Sequence, residues 1–347
     1  MFKFLRYKLL FLFTLLFLFT KAQDIHFSQF FANPISYNPA NTGFFNGNYR
    51  LGANHKEQYP WAKKGSYTNY NTSSAYADFT FLDKKFNKID WAGIGISFVN
   101  DQSGDGNLSV NKVNLAIAYH KGLDRYHKHF ISLGFTAAYV HRTINFKELY
   151  FNNQWQDRVG FVKELPNFEN LATETYSYFD LGAGIQARNT IGKDLKLTYG
   201  LTILHFNRPK ETFYEQSNNI GLRYLVHLVS ETRLSDRLDL MTSAYFTFQK
   251  QAYETLFGAN LGIQLQKNKQ LKSTKLITGL FYRWNDALSP MLGVEYHKTR
   301  LLMNFDVNLS QLSQASKGNG GFEVSIVHTG LWNNKLPSQR KTNCFNF

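Results

Sequence analysis

Between Leu276 and His328 apolar and polar residues alternate with a period of two. Leu301, Met303, Phe305, Val307 and Leu309 are apolar, and Asn304, Asp306, Asn308 and Ser310 stand between or beside them. A helix over the same residues would bury Asn304 and Asn308 beside Leu301 and Phe305, so the spacing predicts strands. The neighbours repeat it. Leu276, Leu280, Tyr282 and Trp284 share one face. Leu292, Val294 and Tyr296 oppose Gly293, Glu295 and His297, and Phe322, Val324 and Ile326 oppose Gly321, Glu323 and Ser325. In a soluble sandwich the apolar face packs on a second sheet, whereas in an outer-membrane barrel it meets lipid and the charged face lines a lumen. Local alternation fits both.

The remainder of the chain supplies more segments of the same kind. Tyr49 to Tyr59, Thr72 to Phe81, Trp91 to Val99, Val113 to Tyr119, Phe130 to Val140 and Tyr178 to Ala187 come first. Leu197 to Phe206, Leu222 to Ser230, Leu238 to Phe248 and Tyr253 to Leu265 follow, and the last four bring the series to about fourteen. An even number suits a bacterial barrel, in which long outside loops alternate with short periplasmic turns. The long connections Pro60 to Asn71, Asn100 to Lys112, His141 to Ser177, Asn207 to Gly221 and Gln311 to Gly320 all fall on one side of that alternation. Gln249 to Ala252 and Asn285 to Pro290 are short exceptions on that side. The predicted fold is all-β, a transmembrane antiparallel outer-membrane β-barrel.

Met1 to Ala22 has a basic start, an apolar run from Leu9 to Thr20 and small residues before a cut after Ala22, the pattern of a secretory signal peptide. A transmembrane anchor needs about 20 apolar residues, more than run here. No later stretch is apolar enough to span a bilayer as a helix, so a membrane reading requires a barrel. The expected organisation is a signal peptide over 1–22, an N-terminal periplasmic leader over 23–46, a barrel over 47–331 and a C-terminal periplasmic tail over 332–347. The leader is broken into turns by Asn33-Pro34, Asn38-Pro39 and Gly43.

Aromatic residues make up 16% of the chain, with 32 Phe and 20 Tyr, which suits the aromatic girdles of a barrel. The formal charge of +14 falls by four to +10 when Lys3, Arg6, Lys8 and Lys21 leave with the signal. Such a balance can mark nucleic-acid binding, but a secreted chain meets little nucleic acid, and none is expected as a partner. The single Cys344 forms no internal disulfide and reads as an incidental thiol in the tail.

Several blocks carry a resemblance. Gln23-Asp24, Phe27-Ser28-Gln29-Phe30, Asn33-Pro34, Asn38-Pro39-Ala40 and Gly43 resemble the opening signature of the PorP/SprF-like outer-membrane proteins of the type IX secretion system. Gly200-Leu201 through His205-Phe206-Asn207 and Pro209 is similar to an internal block of that family. Tyr282-Arg283 with Asp286-Ala287, Pro290 to Gly293, Asp306-Val307-Asn308 with Ser310, and Gly320 to Ser325 are similar to its C-terminal blocks. The end departs from the family's frequent Cys-Pro-Arg-Phe, reading Cys344-Phe345-Asn346-Phe347. The resemblance implies a Bacteroidetes outer-membrane barrel, embedded in outer-membrane lipid, that assists surface export or anchoring of proteins bearing type IX C-terminal signals. It further implies contact with periplasmic ring components of that machine.

No enzymatic site converges. His127-Lys128-His129 offers at most two ligands where a tetrahedral metal needs three or four, so it reads as a solvated turn. No nucleophile elbow occurs, and the glycines of Gly93-Ile94-Gly95 and Gly182-Ala183-Gly184 lie inside strands, where they suit close packing rather than phosphate binding. No cofactor is expected. More informative are the charges on polar strand faces, Lys275, Arg283, Glu295, Asp306 and Glu323, which a barrel turns into its lumen as an ionic network filling the bore or as a transport lining. Arg283 is expected to pair with Glu295, Asp306 or Glu323. A basic rim on the periplasmic side includes Lys84, Lys85, Lys88, Lys121, Arg125, Lys128, Arg233 and Arg237. Within that rim Lys267, Lys269, Lys272, Lys298 and Arg300 are the candidate docking residues for an acidic partner. The function these readings support is a non-enzymatic barrel subunit of the secretion or gliding machinery. The alternatives are a general porin or channel and, without a convergent site, a secreted β enzyme.

Overall fold

Alternating sequences of this kind leave a row of unpaired backbone groups at each sheet edge, and the chain removes both edges by closing on itself. A computed structural model describes residues 27–59, 70–81, 89–104, 106–169, 173–212, 218–267, 273–311 and 313–332. The strands are β1 (Tyr49–Gln58), β2 (Tyr70–Phe81), β3 (Trp91–Ser103), β4 (Leu108–Gly122) and β5 (His129–Thr143), then a small separate hairpin of β6 (Trp155–Gln156) and β7 (Gly160–Phe161). They continue with β8 (Thr175–Ile191), β9 (Leu195–Leu204), β10 (Arg223–Arg233), β11 (Leu238–Gln249) and β12 (Ala252–Lys267). β13 (Ser273–Arg283), β14 (Ala287–Tyr296), β15 (Thr299–Asn308) and β16 (Asn319–Gly330) complete the series. Fourteen of them, all but β6 and β7, form one closed antiparallel ring in which each pairs with the next along the chain. The ring is sealed by β1 on β16, in register from Tyr49 opposite Gly330 to Gln58 opposite Gly321. No described helix is long and apolar enough to cross a membrane.

The period of two sorts side chains by face. In β4, Leu115 and Ile117 are 57% and 55% exposed on the outside, while the alternate residues Ala116, Ala118 and His120 are buried on the inside. β15 behaves alike: Leu302, Asn304, Asp306 and Asn308 are turned inward and Met303 outward. An outer surface of half-exposed leucine, isoleucine, phenylalanine and tyrosine is what a sheet facing hydrocarbon presents.

Antiparallel closure also sorts the connections between two rims. We call the rim where β1 begins and β16 ends the near rim, and the opposite one the far rim. The near rim carries the short turns at 123–128, 192–194, 234–237 and 297–298, and the far rim carries the 31-residue connection between β5 and β8 and the connection between β9 and β10. Two details differ from the alternation read in sequence. β3 and β4 run on to Ser103 and from Leu108, which shortens their connection to 104–107, because ladder hydrogen bonds continue past the apolar band where the side chains turn polar. The insert between β5 and β8 is not wholly irregular, since Trp155 and Gln156 pair with Phe161 and Gly160.

Lipid exposure of the outer face gives a direct test. Leu292, near the middle of β14 and 62% exposed, replaced by arginine should lower barrel stability in lipid vesicles by about 2–4 kcal/mol, the range for a charge near the bilayer midplane. Denaturant titration reads it, and a change below about 0.5 kcal/mol would show that position 292 does not meet hydrocarbon.

Candidate functional site

Of the leader expected ahead of the barrel, the described residues 27–44 lie inside it. Residues 27–44 are almost all buried, with Ala40, Asn38 and Thr42 at 0% exposure. Asn-Pro steps build the segment: Pro34 and Pro39 each open a single helical turn (Pro34–Tyr37 and Pro39–Asn41), and the Asn38 side chain accepts from the Ala40 N–H at 2.8 Å. Three short turns (Phe30–Ala32 being the first) pair many of the segment's own backbone groups, which lets an irregular chain lie buried in the bore. Sequence pattern missed this placement because turn signals report local geometry and nothing about which surface covers it.

The wall is shaped for the segment. A Cβ built on Gly134 would stand 2.4 Å from the Ala40 nitrogen and from the Pro39 carbonyl carbon, and one on Gly93 would stand 2.2 Å from the Thr42 oxygen, so only glycine lets strand and segment approach this closely. Phe30 packs edge-on against Tyr245 at 4.9 Å, and Phe31 stacks on Phe281 at 5.5 Å. Around them Leu225, Leu256, Ile277, Met291 and Leu302 form an apolar patch on the inner wall. At the near rim Phe44 packs with Trp91 and Phe130.

Beside that patch, partly on the same strands, the charged residues converge. Arg283 donates to Asp306 at 2.9 Å and to the Ser28 hydroxyl at 3.1 Å, and it also pairs with Asp286. Asp306 accepts in addition from Ser28, Ser289 and Asn304, and Lys56 lies 3.7 Å away. The register opposite Asp306 and Val307 skips Gly320, which places a bulge on β16 beside Asp306. The Glu323 carboxylate accepts the backbone N–H groups of Ser28 at 2.9 Å and Gln29 at 3.0 Å. The Gln29 side chain donates to Asn304 at 2.5 Å and accepts from Ser325. Asp306 and Glu323 are therefore anchor points for the start of the segment.

Lys275 and Glu295 are cross-strand neighbours in register, yet their ion pairs run elsewhere. Lys275 reaches Asp239 at 2.8 Å and Glu295 holds Arg300 at 2.8 Å. Lys275 reaches past β12 to β11, which register alone does not reveal, whereas Glu295 and Arg300 face each other in register. The bore also contains Arg50 with Asp78 at 2.7 Å, Arg188 with Glu231 at 3.1 Å, and Asp180 between Lys112 at 2.9 Å and His205 at 2.8 Å. Arg50, Lys56 and Asp78 occupy alternate polar positions of β1 and β2, and that period was the signal that could have added them.

Of the candidate docking residues, Arg300 is corrected. Its side chain is 13% exposed and faces Glu295 within the wall, leaving it poorly placed to meet a partner. Lys298 lies in the turn beyond β14, where burial pushes its ammonium below the ordinary lysine value. Lys267 ends β12, and Lys269, Lys272, Lys84, Lys85 and Lys88 lie outside the described residues, as do the signal peptide, Cys344 and the tail from residue 333. The near rim does expose Lys121, Arg125, Lys128, Lys193, Arg233 and Arg237. In the 123–128 turn, slight burial pushes the Asp124 carboxyl up, but the N–H groups of His129, Lys128 and Tyr126 outweigh it and hold it below the usual carboxylate range. His129 bonds Asn189 at 2.8 Å, and no group of three or more metal-binding side chains occurs among the described residues.

Above the segment, toward the far rim, lies a cavity of about 630 Å³ bordered by Phe27, Ile35, Lys112, Arg142, Asp180 and Arg223 among others. Two ion pairs cross its wall, Lys112 with Asp180 and Arg142 with Glu211.

The family model described as type IX secretion system membrane protein PorP/SprF matches residues 19–327. No curated protein matches the sequence. Among solved structures the chain is similar to a TodX deltaS2S3 mutant monoaromatic hydrocarbon channel, at 9% identity and a TM-score of 0.50, covering 84% of this chain and 92% of that one. It is also similar to the Ralstonia pickettii toluene transporter TbuX, at 10% identity and 0.49, covering 85% and 92%. A Pseudomonas aeruginosa FadL homologue matches at 9% and 0.49, covering 84% and 92%. At these identities the likeness concerns the barrel fold alone.

The anchor predicts its own sensitivity. Asp306→Ala removes the acceptor shared by Arg283, Ser28 and Ser289 and leaves a buried guanidinium short of its partner, so the barrel should lose about 3 kcal/mol in denaturant titration. Asp286→Ala, whose carboxylate is 44% exposed, should change stability by less than about 1 kcal/mol. Equal losses in the two variants would show that Asp306 is not the hub.

Proposed function

The chain belongs to the PorP/SprF family of type IX secretion system membrane proteins and is an outer-membrane β-barrel; from that premise we propose that it is a non-enzymatic component of the type IX secretion and gliding machinery. In this reading it assists surface export or anchoring of secreted proteins that carry type IX C-terminal signals, and its near rim, facing the periplasm, contacts ring components of the machine.

The observation that carries the contact is the near rim itself. Lys121, Arg125, Lys128, Lys193, Arg233 and Arg237 are all exposed there, with Asp124, Asp194 and Asp236 as the acidic residues of the same turns. A cationic ring steers an acidic partner and weakens with salt. An open general porin fits less well, because residues 27–44 fill part of the bore.

Reversing Lys121, Arg125 and Lys128 to Glu, or Lys267, Lys269 and Lys272 to Glu, should lower recovery of ring components from detergent-solubilised outer membrane about tenfold at low salt and less at high salt. Heat-modifiable migration of the barrel should stay intact. Full recovery with both triple variants would exclude the basic rim as the contact.

A further inference from the structure

The contact between the N-terminal segment and the wall is unevenly made. At both ends it is matched. Ser28 and Gln29 are held by Asp306, Glu323, Asn304 and Ser325. At the near rim Trp91 donates to the Gly43 carbonyl at 2.9 Å, the Gly43 N–H donates to Asp78 at 2.7 Å, and His120 donates to the Thr42 carbonyl at 2.8 Å.

Between the ends the match is partial: Asn33 donates to Ser74, Asn38 to the Ile185 carbonyl, Tyr76 to the Ala32 carbonyl and Arg50 to the Asn41 carbonyl, while other wall groups have no such partner. Both amide atoms of Asn54 and of Gln186, both ring nitrogens of His227, the hydroxyls of Thr202 and Ser243 and Oδ1 of Asn260 are buried without a hydrogen-bond partner in the protein. On the segment, Asn33 Oδ1 and Thr42 Oγ1 are likewise unpartnered. Permanent cores pair their buried polar groups, because an unpaired one carries its full desolvation penalty. The same groups lining a water-filled bore are satisfied by solvent. The inner wall on β1 and β8 to β12 thus has the chemistry of a hydrated passage, occupied by a segment that satisfies it incompletely. The opposing force is the apolar patch that takes Phe30 and Phe31, which keeps the seated state dominant. Gly43, with φ of +72°, is itself held by Asp78 and Trp91 and marks the fixed end about which the preceding residues turn.

We propose that residues 27–42 are a removable stopper and that the barrel is a gated conduit for small hydrated solutes. Seated, the stopper blocks the bore between the near rim and the far-side cavity. Swung about Gly43 toward the near rim, it opens a polar passage joining the two. The gate is independent of the ring contact proposed above, and either can fail while the other stands.

Conductance of the full mature chain in planar bilayers tests it. Asn38 Cγ lies 2.9 Å from the position of a Cβ at residue 184, close enough for Asn38→Cys with Gly184→Cys to form a disulfide in a Cys344→Ser background. Reduced, this variant should show brief openings; oxidised, its open probability should fall about tenfold or more and recover with reductant. In a second variant, Gly134→Val, the added side chain occupies the space of Pro39 and Ala40 and excludes the seated stopper. Its open probability should exceed that of the unmodified chain about tenfold, with heat-modifiable migration confirming a folded barrel. Equal conductance before and after oxidation, a reduced protein that never opens, or a folded Gly134→Val barrel that conducts like the parent would each overturn the proposal.

Discussion

Backbone hydrogen bonding in a medium without water governs this protein. Each N–H and C=O at membrane depth needs a partner inside the chain, and a sheet meets that requirement only when its last strand returns to its first. The pairing of β1 with β16 is that closure. Once it exists, every strand has one face toward lipid and one toward the bore, and side chains sort accordingly. Leucines and isoleucines that would be a liability on a soluble surface become the outer coat, and the charged positions are driven inward.

Closure creates a second problem. Fourteen strands enclose more space than their own inward side chains fill. The chain answers with three kinds of filling: crossed ion pairs such as Arg50 with Asp78 and Arg283 with Asp306, an apolar patch around Leu256 and Phe281, and its own N-terminal segment. The segment fits because the wall carries glycine where backbone meets backbone, at Gly93 and Gly134, and carboxylates where backbone N–H groups point outward, at Glu323. Position on the wall decides the role of each residue type.

The charge arrangement separates interior from rim. Inside, cations and anions are matched at short range, so they hold structure together and present little net field. At the near rim Lys121, Arg125 and Lys128 stand in solvent, where their charge acts at a distance and is tuned by salt. Arg300 illustrates the boundary. Two residues beyond the turn at Lys298, its side chain already belongs to the wall through Glu295.

Much of this was legible without coordinates. Strand number, direction and the inward placement of Asp306, Glu323 and Arg283 follow from a period of two, because side chains alternate across a strand whatever the strand pairs with. The apolar outer face and the family blocks at Phe27 to Phe30 and Gly320 to Ser325 are likewise properties of the linear order. The position of the N-terminal segment, the pairing of Lys275 with Asp239 rather than Glu295, and the withdrawal of Arg300 from the rim were decided only in three dimensions. The first two depend on strand tilt and on which distant elements share the bore, and the third on the register that sets Arg300 opposite Glu295. Local periodicity sets the face on which a side chain lies, but the partner on that face is chosen by closure of the whole ring.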